Sequence, residues 1–123
     1  AAGSAADAGT NWAPVARTPS GVPEVSVEWT REQVGSTRVV DVREPDEWVG
    51  ELGHVDGTEL VPLATLPEAA QSWDRDQPLI ILCRSGGRSG RAAKLLEEMG
   101  FRRVASMAGG MLRWNELKLP IAS

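Results

Sequence analysis

Leu79-Ile80-Ile81-Leu82-Cys83-Arg84-Ser85-Gly86-Gly87-Arg88-Ser89 is the stretch whose reading decides the fold. Its first four residues are apolar without alternation, the pattern of a strand covered by helices on both faces. Beyond Gly87, Ala92, Leu95, Leu96 and Met99 recur at i, i+3, i+4 and i+7, while Arg91, Lys94, Glu97 and Glu98 fall on the opposite side. This is an amphipathic helix, stopped by Gly100. A buried strand, a short glycine-containing loop and a helix form one unit of a parallel α/β sheet. In such a sheet Cys83 sits at the carboxyl end of its strand, where open α/β sheets place their ligands.

The flanking sequence extends the same alternation. Val39-Val40-Asp41-Val42 predicts a second central strand, and Glu24 to Val27, Glu59 to Val61 and Val104 to Ser106 predict shorter ones. Helical segments are expected from Thr30 to Gly35, at Pro45 to Val49, from Thr65 to Trp73 with Pro67 in the first turn, and from Met111 to Leu117 after a tight bend at Gly109-Gly110. Together these predict an α/β domain with a central, mainly parallel sheet flanked by helices on both faces, spanning residues 24–123. Residues 1–23 are rich in Ala, Gly, Ser, Thr and Pro, with Trp12 and Val15 as bulky apolar anchors, and read as a flexible N-terminal arm.

The 123 residues suffice for one domain with a real core. Hydrophobic residues make up 41% and charged residues 24%, an ordinary globular composition. A net charge of -4 argues against nucleic-acid and anionic-membrane partners. Even so, Arg84, Arg88, Arg91, Arg102 and Arg103 crowd one part of the chain and predict a local positive field. No apolar run is long enough to span a membrane. One cysteine and one histidine, His54, supply neither an internal disulfide nor a Cys/His zinc cluster. The chain opens on Ala1 and not Met, as expected where a leader or parent segment has been removed. A cytoplasmic location is expected, with export after leader cleavage as the alternative.

The loop has direct chemical consequences for its thiol. After Cys83, successive backbone N–H groups can curl inward to form an anion-binding nest, and Gly86-Gly87 would remove the steric penalty of positive φ. The next helix contributes free N–H groups near Ser89 and the positive end of its dipole. Helix N-termini and nearby arginines lower a thiol pKa, and the thiolate is the nucleophile. A lone cysteine after an apolar strand is most often a small core residue. Two glycines, two arginines and two serines in the following positions point instead to a reactive one.

Further segments carry a family resemblance. Asp41-Val42-Arg43-Glu44 followed by Trp48, Gly53-His54-Val55-Asp56-Gly57 with Val61-Pro62-Leu63, and Met107-Ala108-Gly109-Gly110-Met111 with Trp114 resemble, in order, the ordered motifs of the rhodanese family. The likeness runs from Glu24 to Pro120 and departs at Thr58, where alanine is usual. It implies a sulfurtransferase in which Cys83 takes a sulfane sulfur from thiosulfate or a persulfide donor and passes it to a thiol or cyanide acceptor. It further implies that Arg84, Ser85, Gly86, Gly87, Arg88 and Ser89 bind substrate, that no cofactor or metal takes part, and that a sulfur-relay protein can be a partner. Asp41 and Arg43 are expected to support the loop from the neighbouring strand. His54 is expected to cap backbone groups, and Ser89 to cap the helix while facing the loop.

Two other readings compete. Cysteine phosphatases and arsenate reductases share the strand, anion loop and helix, but space their residues as Cys-x5-Arg around a tetrahedral oxyanion. Cys83 to Arg88 is Cys-x4-Arg, a ring sized for one sulfur atom. A non-catalytic partner-binding module is the second, and the retained cysteine argues against it.

Overall fold

The computed structural model describes residues 11–123. Six strands, β1 (Ala16–Arg17), β2 (Pro23–Val25), β3 (Arg38–Asp41), β4 (Glu59–Leu60), β5 (Leu79–Leu82) and β6 (Val104–Met107), form one sheet in the order β1-β2-β6-β5-β3-β4. Every neighbouring pair is parallel except β1 with β2. Among the described residues four α-helices lie between strands, α1 (Val27–Gln33), α2 (Pro45–Trp48), α3 (Leu66–Ala70) and α4 (Gly87–Glu98), and α5 (Gly110–Glu116) follows β6.

The unbroken apolar run of β5 is explained by its central place. Leu79 and Ile81 join Ala92, Ala93 and Leu96 of α4 and Leu66 and Ala70 of α3 in one core. Ile80 and Leu82 point the other way, into a second core with Val27 of α1 and Met111 and Trp114 of α5. All four β5 side chains are fully buried, so neither face could be polar without loss of burial energy. The register pairs Asp41 with Leu82 and Ile81 with Ser106. The carboxyl ends of β3, β5 and β6 therefore meet beside Cys83.

Three local expectations are corrected. The first helix begins earlier than Thr30, because Ser26 is its N-cap and accepts the Trp29 N–H at 3.0 Å. Val27 consequently serves α1 and not the preceding strand, which ends at Val25. The helix expected over 65–73 is shorter, a 3-10 turn at Leu63–Thr65 leading into Leu66–Ala70. The third correction concerns the arm read over 1–23. Its residues 1–10 lie outside the described residues, whereas Ala16–Arg17 pair with Pro23–Glu24 as an antiparallel edge strand. Trp12, Ala13 and Val15 pack on the α1/α5 core, Trp12 meeting Trp29 edge-on at 5.8 Å between ring centroids. Arg17 also holds Glu97 of α4 through two hydrogen bonds at 3.2 and 2.6 Å. Low-complexity composition concealed this docking because two anchors and a short edge strand carry it.

Among the described residues no helix is long and apolar enough to cross a membrane.

Removing a fully buried tryptophan costs roughly 3–5 kcal/mol, and a half-buried one about half of that. Trp12→Ala should therefore lower the melting temperature by roughly 5–10 °C in a domain of this size. Thermal unfolding followed by circular dichroism checks this; an unchanged midpoint would mean that Trp12 contributes nothing.

Candidate active site

The loop after β5 is shaped from both sides. On one side, the carbonyl oxygens of Cys83 and Arg84 accept the N–H groups of Met111 and Leu112 at 2.9 Å each. Gly110 makes this grip possible: its φ is +58°, and a Cβ there would lie 2.5 Å from the carbonyl oxygens of both Cys83 and Arg84. On the other side, the chain reverses through Gly86 at φ +114° and enters α4. With the carbonyls turned outward, the amides turn inward, and the Gly86 N–H donates to the Cys83 sulfur at 3.1 Å. Gly87 departs from expectation. It has no positive φ and nothing within 4 Å of a would-be Cβ, so Gly86 alone carries the reversal.

Cys83 is only 1% exposed. Burial pushes its thiol pKa up, but the Ser89 hydroxyl and the backbone N–H groups of Ser89, Gly86 and Ser85 pull it down, and together they prevail. The Ser89 hydroxyl lies 3.4 Å from the sulfur, 3.3 Å from the Gly86 carbonyl and 2.7 Å from the Ser106 hydroxyl. Both serines are fully buried. Each hydroxyl has one proton. Ser106 has Ser89 as its one hydrogen-bond partner among the described residues, so its proton goes to Ser89 and leaves the Ser89 proton free for the thiolate or the Gly86 carbonyl. Ser89 does not cap α4 with its side chain, because Gly86 occupies the N-cap. Its work is at the sulfur.

The two loop arginines diverge. Arg88 is held by Glu47 of α2 through a bidentate pair at 2.6 and 2.8 Å. The Arg88 hydrogen bond, against the opposing effect of burial, lowers the Glu47 pKa to about 2, so the pair stays ionised at ordinary pH. Arg84 is exposed and lines a cavity of about 140 Å³ with Arg43, Glu47, Gly50, Glu51 and Leu52. Ser85 is exposed and faces the sulfur only through its amide.

Asp41 and Arg43 form a buried pair in which Nη2 donates to Oδ2 at 2.9 Å. Arg43 also donates to the backbone carbonyls of Glu47 at 3.2 Å and Gly53 at 2.7 Å. The pair thus braces α2 and the Gly53 turn, and through Glu47 it is linked to Arg88 of the loop. His54 stacks on Trp48 at 3.9 Å and places Nδ1 3.0 Å from the Trp48 carbonyl. Among the described residues no group of three or more His, Cys, Asp or Glu is placed to hold a metal ion.

Three residues of this site escaped the sequence reading of side-chain roles: Glu47, Ser106 and Gly110. Glu47 stands three residues after Glu44, the spacing of a capping box, which is formed. Ser106 is the polar member of an otherwise apolar strand, a signal in itself.

A mostly parallel sheet with helices on both faces, carrying a buried thiol inside a ring of amides at the end of its central strand, defines an α/β protein with an anion cradle. The model of the rhodanese-like domain matches residues 26–117, and the chain belongs to that family. It is similar to the thiosulfate sulfurtransferase GlpE of Pseudoalteromonas translucida, with 36% identity over 93 residues, 74% of this chain and 87% of that protein. With YrkF of Bacillus subtilis it shares 33% identity over 99 residues, 78% of this chain but 52% of the relative, so it spans about half the length of that protein. Among solved structures, the human single-domain sulfurtransferase TSTD1 superposes with a TM-score of 0.69 at 25% identity, covering 78% of this chain and 97% of that one.

Two tests address the cradle. Ser89→Ala should move the pH midpoint of Cys83 alkylation upward, and Ser106→Ala should do so more weakly, since it acts through Ser89; a parental midpoint in Ser89→Ala would remove the hydroxyl from the account. Gly110→Ala should destabilise the fold by roughly 1–3 kcal/mol, because a positive φ and a backbone clash coincide, whereas Gly87→Ala should leave stability within about 0.5 kcal/mol. Equal unfolding midpoints in urea for the two variants would show that Gly110 does not grip the loop.

Proposed function

We propose that the protein is a sulfurtransferase in which Cys83 carries the sulfur. The observation that carries this reading is the orientation of the loop: donors converge on a buried sulfur while its carbonyls are bound elsewhere, so negative charge on the sulfur, or on one atom beyond it, is favoured. The relatives named for sulfur transfer support it.

In the first step the Cys83 thiolate attacks the outer sulfur of thiosulfate. A new S–S bond forms, the bond to the sulfonate sulfur breaks, and sulfite leaves with the electron pair. In the second step an acceptor thiolate attacks the outer sulfur of the persulfide and the Cys83 thiolate departs, regenerating the site; with cyanide the product is thiocyanate. A persulfide donor enters the first step in the same way, with a thiolate leaving. This is nucleophilic covalent catalysis without net oxidation. The amides of Ser85, Gly86 and Ser89 would hold the persulfide anion, with Gly87 opening the helix beside it. Arg84, exposed at the entrance, would attract an anionic donor, while Arg88, fixed by Glu47, would set the width of the ring. Asp41 and Arg43 would brace Glu47. A protein thiol in a sulfur relay is an acceptor of the same chemistry.

Mixing the protein with thiosulfate should add one sulfur atom to its intact mass and release one equivalent of sulfite, and subsequent cyanide should remove the added sulfur. Cys83→Ser should remain folded and do neither. Sulfur uptake by that variant at the parental rate would exclude Cys83 as carrier.

A further inference from the structure

His54 is the one histidine of the chain, and its ring lies against Trp48. Its backbone ties down a second segment. The His54 N–H donates to the Ala122 carbonyl at 2.9 Å, and the His54 carbonyl accepts the Ala122 N–H at 2.8 Å, so the segment after α5 is bridged antiparallel to this turn. Gly53 lets the bridge close: its φ is +64°, and a Cβ there would lie 2.6 Å from the Ala122 carbonyl oxygen. Asn115 of α5 donates to the Leu52 carbonyl at 3.1 Å, and Arg43 holds the Gly53 carbonyl at 2.7 Å. Three successive carbonyls are thus taken by three different parts of the chain, which fixes the turn.

What the fixed turn presents is the imidazole. It stacks on the Trp48 indole with 3.9 Å between centroids, and Nδ1 donates to the Trp48 carbonyl at 3.0 Å, since a carbonyl can only accept. Trp48 closes α2, a single turn in which no residue is buried. One turn of helix has little stability of its own, and this one sets no apolar face into a core. Its place therefore depends on its partners: the His54 ring, the Arg43 bond to the Glu47 carbonyl, and the Glu44 capping box. Glu47, next to Trp48, carries the carboxylate that matches Arg88. The Arg88 pKa is raised chiefly by the Glu47 hydrogen bond, and further by the charges of Glu47, Cys83 and Asp41, against the effect of burial. Arg88 is therefore within electrostatic reach of the thiolate, and Asp41 is already engaged by Arg43.

We propose that His54 is a positioning residue: held by Ala122 and stacked on Trp48, it keeps Glu47 on Arg88 and so sets how much positive charge a donor meets at Cys83. This rests on the sulfurtransferase reading and adds to it a determinant of donor charge. While the turn is bridged, Arg88 is matched and the cradle discriminates little between neutral and anionic reagents. When the bridge is loosened, Arg88 is released and anionic reagents gain.

Iodoacetate and iodoacetamide are the probes, since they alkylate Cys83 by one chemistry and differ in a single charge. Their rate ratio cancels any change in thiolate population. His54→Ala should raise the ratio of iodoacetate to iodoacetamide by about two- to fivefold, the effect of one partly exposed charge. Ala122→Pro, which removes the N–H donated to His54, should raise it in the same direction, and His54→Phe, which keeps a flat ring on Trp48, should restore part of the parental value. His54 and Ala122 both lie outside the two apolar cores, so these variants keep their packing. In an Arg88→Gln background neither His54→Ala nor Ala122→Pro should move the ratio, whereas a merely structural effect would move it there as well. The KM for thiosulfate, a dianion, should fall in His54→Ala by a similar factor. The proposal is overturned if the parental ratio survives in either folded variant, or if the ratio changes equally with and without Arg88. A ratio that behaves as expected in a protein that never takes sulfur from thiosulfate would instead overturn the sulfurtransferase reading and leave the role of His54 standing.

Discussion

The peptide planes at Cys83 and Arg84 are turned by the last helix. A tight loop has as many carbonyls as amides, and unless something takes the carbonyls the loop has no preferred sign of charge at its centre. The first amides of α5 take two of them, Met111 from Cys83 and Leu112 from Arg84. These amides are free because a helix leaves its opening N–H groups without internal partners. The contact requires Gly110, where a side chain would strike the very carbonyls being held. The sign of the cradle is thus fixed by residues near the end of the chain, remote in sequence from the thiol they serve.

That dependence explains what was legible in the sequence. The fold could be read because β5 is apolar on both faces and the helix after it has one apolar stripe, and both patterns are local. The position of Cys83 at a strand end followed from the same run. Gly86 could be read as a turn residue, but its neighbour Gly87 could not be told apart from it, since adjacent glycines look alike until φ is known. Glu47 and Ser106 depend on contacts across 41 and 17 residues, with Arg88 and Ser89. Composition hid the N-terminal segment, whose docking depends on Trp12 and Val15 finding a core contributed by α1 and α5.

Two different kinds of support converge on the cradle. The Ser89–Ser106 pair is buried and neutral, so it is insensitive to salt and to ordinary pH, and it supplies direction to a single proton. Every guanidinium nitrogen of the buried Asp41–Arg43 pair has a hydrogen-bond partner, and the pair transmits position to the backbone of Glu47. Burying such a pair is costly unless its remaining donors are satisfied, and here the Glu47 and Gly53 carbonyls satisfy them. The outer ion pair between Glu47 and Arg88 closes the set at the surface.

The pH behaviour of that outer pair follows from its direction of shift. Glu47 is held at about 2, well below the ordinary 4.5, so folding favours its charged form. The stabilisation is complete above about 4.5 and is lost as the pH falls through about 2, when protonation releases Arg88. Over the whole range in which a thiolate exists, then, the Arg88 charge is matched by a carboxylate in contact with it. A matched guanidinium has little net field to offer a second anion, and the ring around the sulfur owes its preference for negative charge chiefly to the amides and the Ser89 hydroxyl. Such dipoles are close, fixed by α5 and by the Gly86 turn, and weaken steeply with distance. Dipoles of this kind favour negative charge at the Cys83 sulfur or one atom beyond it over charge centred further out, as the proposed carrier of single sulfur atoms would require.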